Sequence, residues 1–242
     1  DDRFVFNTNG AFTDTTNDNI LGKSVPMTSD LGGSQGLTAN SDGEFENYLY
    51  PNYSETWSLS LVEGKETITF SNSGFLGYYG SGYTSARLKS QGLRAFTYGR
   101  IEVRAKLPAS TGTWPAIWML GSNFSSVGWP NSGEMDIMEQ KGWEKNKVLG
   151  TFHWQDSASN SYAGYGLETT ASTSTTEFHL YSLEWTPSVI YVLYDDVPYV
   201  TFANNGNLPF NADFFFILNI AMGGNLGGTV DTNFTQDTME VD

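Results

Sequence analysis

The sequence predicts an all-β chain, a sandwich of two antiparallel sheets, and three observations carry that prediction. Many short apolar or alternating segments recur between clusters of Gly, Pro and Asn. Aromatic residues make up 15% of the chain and glycine fills 26 of its 242 positions, a mix that suits strands and tight turns better than helices. No stretch sustains three turns of helical periodicity.

Taken in order, residues 1–64 are rich in Asn, Thr, Ser, Gly and Asp, with apolar residues too scattered to fix strands. Long loops with one or two edge or terminal strands are expected there. Strands are expected at 66–70, 84–89 and 98–107. In the last, Ile101, Val103, Ala105 and Leu107 alternate with Arg100, Glu102, Arg104 and Lys106, which gives one apolar face and one solvated face. Further strands are expected at 114–120, 134–140, 147–154, 177–186, 189–194, 197–202 and 213–221. Phe214–Leu218 is the longest apolar run and reads as a buried strand. Residues 156–176, rich in Ser and Thr, read as a surface loop near the site. No linker or repeat interrupts the chain, so 1–242 is expected to form a single domain.

Composition removes several classes of function. Twelve Lys and Arg stand against 27 Asp and Glu, a formal charge of −15. Clustered cations for phosphates are missing, so nucleic acid is not an expected partner, and a sulfated polymer is disfavoured for the same reason. A neutral ligand is compatible with this surface. The chain has no cysteine, hence no disulfide or thiol nucleophile, and its two histidines, His153 and His179, cannot build a polyhistidine metal centre. No run of 18 apolar residues is present, so no membrane insertion by a helix is expected. The Gly-rich segments 77–82 and 223–228 lack the GK[ST] pattern of a phosphate loop, and tight turns beside an open groove explain them better.

The densest chemistry lies in Glu134-Met135-Asp136-Ile137-Met138-Glu139. In a regular strand Glu134 and Asp136 would share a face, while Glu139 would point with Met135 and Ile137 into the core. Burying an unpaired carboxylate costs several kcal/mol by order of magnitude, so one extra residue near Ile137 and Met138, a β-bulge, is the expected remedy. All three acids then line one cleft. Two carboxyl groups held about 5–5.5 Å apart suit a retaining glycosidase, and a third between them would push at least one proton affinity upward. The glycines and prolines bounding the segment leave too few residues for a helix of usual length.

Aromatic residues surround this motif. Trp114 and Trp118 share a strand face and, on the cleft side, would offer flat platforms to pyranose rings, with the indole N–H open to a hydroxyl. Trp129, five residues before Glu134, is the leading platform, whereas Trp185 is expected in the core. His153 ends the strand after the acids, as a structural residue or as a partner of the acids or a sugar hydroxyl. Arg87 is expected either in the cleft or on the outer face.

Thr113–Leu120 (TWPAIWML), Val127–Pro130 (VGWP) and Gly133–Glu139 (GEMDIME) together resemble glycoside hydrolase family 16, and within it the laminarinase-like endo-β-1,3-glucanases. Gly150–His153, Phe178–Thr186 and Phe215–Gly224 continue the likeness, which spans roughly residues 83 to 242. The resemblance implies a β-jelly-roll sandwich with an open concave substrate groove and a retaining double displacement that uses no cofactor. It casts Glu134 as nucleophile, Glu139 as acid/base and Asp136 as the carboxylate that tunes them, with Met138 as the inserted residue. It places Trp129, Trp114, Trp118, His153 and Arg87 along the sugar subsites. Asp242 matches an aspartate that helps hold a structural calcium in relatives, although Val5 stands where a second ligand is usual.

The implied activity is endo-hydrolysis of β-1,3-glucan or β-1,3(4)-glucan of the laminarin kind. A neutral β-glucan as partner, a monomer, and a secreted or cell-surface location follow, since a polymer does not readily enter cells. A galactanase of the same fold, acting on agar or carrageenan, and a glucan-binding module without catalysis are the alternatives.

Overall fold

The computed structural model describes Ser85 and residues 87–241, and before them the backbone of several strands only. Those strands are β1 (Phe4–Phe6), β2 (Ala11–Asp14), β3 (Val25–Pro26), β4 (Thr28–Ser29), β5 (Glu44–Phe45), β6 (Ser58–Val62), β7 (Lys65–Tyr78) and β8 (Ser81–Tyr83). Then follow β9 (Arg87–Lys89), β10 (Gly99–Lys106), β11 (Thr113–Gly121), β12 (Glu134–Gln140), β13 (Lys147–Asp156) and β14 (Ser161–Thr170). The chain continues through β15 (His179–Trp185), β16 (Val189–Tyr194), β17 (Val197–Ala203), β18 (Phe214–Gly223) and β19 (Gln236–Val241). Two single helical turns, α1 (Phe124–Val127) and α2 (Gly224–Gly227), interrupt the strands. The expected loops of residues 1–64 and the calcium ligand Asp242 lie, apart from the strand backbones just named, outside the described residues.

Two antiparallel sheets of eight strands form the sandwich, with a small sheet β1-β2-β3 beside them. One sheet runs β17-β16-β15-β10-β19-β7-β6, with β8 on β7. The other runs β14-β13-β12-β11-β18-β9-β4, with β5 on β18, and carries the acids. The expected two-sheet all-β fold is what the chain forms. Among the described residues no helix is long and apolar enough to cross a membrane.

Period-two alternation builds the core. Val103 and Ala105 of β10 and the following Leu107 are buried, while Arg100 on the opposite face pairs with Glu102, Glu184 and Asp196. Such exposed pairs contribute little to stability, about 0–1 kcal/mol each. The weight rests on buried groups such as Met119, Met135, Ile137, Phe152, Trp185 and Leu218, each worth roughly 1.5–3 kcal/mol when fully removed from water. Trp185 is in the core as expected and donates its indole N–H to the Phe210 carbonyl at 2.8 Å.

β18 explains its own apolar run. Its even-numbered residues Phe214, Phe216, Leu218 and Ile220 enter the main core, whereas Phe215 and Ile217 pack with Leu120 and Trp118 as a second, smaller cluster on the cleft side. Buried on both faces, the strand loses the polar alternation of a half-solvated one. Two expectations need correction. Residues 156–176 are not simply a loop: β14 pairs with β13 along its whole length, from Asp156↔Ser161 to Lys147↔Thr170. A strand at 236–241, unread in the sequence, completes the other sheet between β10 and β7.

Candidate active site

The β-bulge in β12 is present. Against β11, Trp118 pairs with Asp136 and Ile117 with Met138, so Ile137 is the extra residue, one position earlier than the expected Met138. Against β13, Asp136 pairs with Thr151 and Glu139 with Leu149, which sets both Ile137 and Met138 opposite the single Gly150. Both apolar side chains are fully buried in the core. The strand therefore sinks two consecutive residues inward and returns Glu139 to the face of Glu134 and Asp136.

Each acid has its own setting. Asp136 is 3% exposed and lies 3.1 Å from His153 Nε2, measured from Oδ2. Glu134 Oε1 stands 3.9 Å from the same nitrogen. Glu139 accepts the Trp114 indole N–H at 2.9 Å. Burial holds the Glu134 carboxyl well above the usual carboxylate range, the negative charges of Asp136 and Glu139 reinforce this, and His153 and a hydrogen bond from Trp129 oppose it. Glu134 and Asp136 each place an oxygen within 4.8 Å of the other, close enough for one charge to oppose the other.

The aromatic residues divide in ways the sequence left open. Trp129 precedes a cis Pro130 in the loop before β12 and is 47% exposed, with its ring 6.2 Å from that of His153. It is the open platform. Trp114 is only 8% exposed and its N–H is engaged by Glu139, so it orients the acid and is not free for a sugar hydroxyl. Trp118 donates to Asn219 Oδ1 at 2.7 Å, and the Arg87 guanidinium lies 4.9 Å above its ring. Arg87 is thus on the cleft face, two strands beyond β11 across β18. His153 pairs in register with Glu134 and contacts the acids, which settles its place among them.

Two cleft residues escaped the sequence reading. Asn219 is the one polar residue in Phe214–Met222, and that interruption of an apolar run was the available signal. Tyr162 sits in the stretch read as loop, and its hydroxyl lies 2.7 Å from His153 Nδ1. Its strand sets Tyr162, Gly164 and Gly166 on one face, and glycines within a Ser- and Thr-rich stretch read as turn residues.

The arrangement can act on a bond held between Glu134 and Glu139, one carboxyl bonded by Trp114 and the other set beside Asp136 and His153. One atom each of Glu134, Asp136 and His153 also lie within 4.8 Å of one another, compact enough for a cation.

Comparison with known proteins agrees with this geometry. Residues 44–242 match the family described as glycosyl hydrolases family 16. The chain is 43% identical over 164 residues to a beta-glucanase of Rhodothermus marinus, covering 62% of this chain and 57% of that protein. It spans about half the length, or less, of the curated relatives it matches first. Among solved structures, LamA of Z. galactanivorans in complex with laminaritriose and laminaritetraose superposes with a TM-score of 0.76 at 37% identity, over 89% of each chain. The laminarinase catalytic domain of Thermotoga maritima gives 0.73 at 30% identity, over 93% of this chain and 91% of the other. With the matched region holding the bulged acid strand and both sheets of the sandwich, the chain belongs to glycosyl hydrolase family 16.

Proposed function

We propose that this chain is a retaining endo-β-1,3-glucanase, or β-1,3(4)-glucanase, acting on laminarin-like glucans. The observation that carries the reading is the bulge, which brings Glu134 and Glu139 to one cleft face and gives them different partners. The Glu134 carboxylate attacks the anomeric carbon while Glu139 protonates the departing glycosidic oxygen, leaving a covalent glycosyl-enzyme. Water then enters, Glu139 takes its proton, and the hydroxide oxygen displaces Glu134 with the original anomeric configuration restored. Asp136 and His153 govern the protonation of the nucleophile side, and the exposed face of Trp129 offers a surface for sugar C–H groups.

The acidic, cation-poor surface supports a neutral polymer as substrate. A secreted or cell-surface location, a monomeric state and catalysis without a cofactor belong to the same proposal. Incubation with laminarin should release reducing ends, and Glu134→Ser should abolish the release. Unimpaired hydrolysis by that variant overturns the assignment. An NMR spectrum taken early in the reaction should show the β-anomer first, and inversion would overturn the double displacement.

A further inference from the structure

We infer that Tyr162 is a positioning residue of this cleft, holding the His153 ring so that its Nε2 edge stays beside the Asp136 and Glu134 carboxyl groups, 3.1 Å and 3.9 Å away. The inference rests on the hydrolase reading for its catalytic consequence, but its geometry stands on its own. Tyr162 and His153 come from neighbouring strands, where Tyr162 pairs with Gln155 and His153 with Gly164. The tyrosine ring therefore has to cross Gly164 diagonally to bring its hydroxyl within 2.7 Å of His153 Nδ1. A Cβ on Gly164 would lie 2.6 Å from that hydroxyl and 3.4 Å from the Nδ1 atom, so the reach exists because position 164 has no side chain.

The rings also support one another. Tyr162 and His153 stack at 5.8 Å with planes 25° apart, and Trp129 lies 5.5 Å from Tyr162 on the same cluster. Nε2 is the ring nitrogen that faces the acids, 3.1 Å from Asp136 Oδ2. Nδ1 is then the end that needs an outside partner, and the Tyr162 hydroxyl supplies it, donating to the bare nitrogen or accepting from a protonated one. With Nδ1 tied to Tyr162, the ring is held with its Nε2 edge beside the acids. Tyr162 is 53% exposed, so its hydroxyl has little part in the core and removing it leaves the fold's burial intact.

The test is Tyr162→Phe, which keeps the ring and loses the hydroxyl. On laminarin-oligosaccharides kcat should fall about 10-fold, the factor of one ordinary hydrogen bond, with KM within 2-fold of the parent. In a His153→Ala background the same change should alter kcat by less than about 2-fold, because the residue through which Tyr162 acts is gone. An effect that multiplies in both backgrounds, or no kcat effect in the parent, overturns the inference. Independently of turnover, ¹⁵N-histidine NMR of a chain with only two histidines should show the His153 Nδ1 resonance moving in Tyr162→Phe while His179 stays put. An unmoved His153 resonance refutes the tie, whereas a parent chain with a moved resonance and no glucanase activity refutes only the hydrolase reading.

Discussion

Glu134 stands largely enclosed beside two other carboxyl groups, and the cost of ionising it there is measurable apart from catalysis. Its proton affinity is higher folded than unfolded, so between the ordinary value near 4.5 and the raised one the folded state binds more protons. Stability contributed by this group is therefore present below that window and lost as pH rises through it. Glu134→Gln should raise Tm at neutral pH, by about 2–4 °C if roughly 1 kcal/mol is relieved, and should flatten the decline of Tm above pH 4.5 while eliminating turnover. Thermal melts across pH check this; a variant that melts lower at pH 7 and higher at pH 4 would contradict it. Trp114 makes a second residue-level case. Trp114→Phe keeps the packing but removes the 2.9 Å donor to Glu139, and a hydrogen bond to a charged group is worth about 1.5–3 kcal/mol. A drop in kcat on the order of 10-fold or more, with oligosaccharide binding by calorimetry little changed, is the expected outcome.

At the level of elements, the bulge in β12 depends on what lies opposite it. Gly150 of β13 faces the doubled pair Ile137 and Met138, and a Cβ there would sit 2.9 Å from Val192 Cγ1 and 3.0 Å from the Tyr199 hydroxyl. Tyr199, reaching across from the other sheet, bonds the Ile137 carbonyl at 3.4 Å. Gly150→Ala therefore crowds a point where the two sheets meet beneath the acids, and it should cost about 1–3 kcal/mol by overpacking. Urea denaturation reads the stability loss, and activity should fall further than the unfolded fraction explains because the acids shift with the bulge. The motif GEMDIME was enough to foresee this distortion, since a regular strand would have buried Glu139. Its position was off by one, because which of two adjacent apolar residues is extra depends on pairing with β11, a long-range matter. β14 was missed for a related reason. Its cleft face is Tyr162, Gly164 and Gly166, and the short alternation of Ala163, Tyr165 and Leu167 on the other face is masked by the glycines and the Ser- and Thr-rich flanks that read as loop. Fold class, the acid trio and Trp129 were legible from local pattern; the contacts of Arg87, Asn219 and Tyr162 needed the register of strands far apart in sequence.

For the molecule as a whole, the charge of −15 and the neutral substrate proposed above lead to an expectation about salt. Association that neutralises fixed charges weakens steeply as ionic strength rises, whereas docking of an uncharged glucan does not. Between about 0.05 and 0.5 M NaCl, kcat/KM on laminarin should change by less than about 2-fold, and a steep dependence would argue for a charged polymer instead. Activity in the presence of a chelator should likewise be retained, because every proton and bond in the proposed reaction is handled by side chains of the chain itself.

One consequence of the sheet order remains. Among the described residues β14 is hydrogen-bonded to β13 alone and forms the outer margin of the cleft sheet, with the reversal between them confined to residues 157–160. The acid-bearing strand β12 lies two places inboard. Lengthening that tip would raise the flank of the binding trough without disturbing the machinery, so the hairpin end is the natural place to graft extra recognition for longer or branched chains.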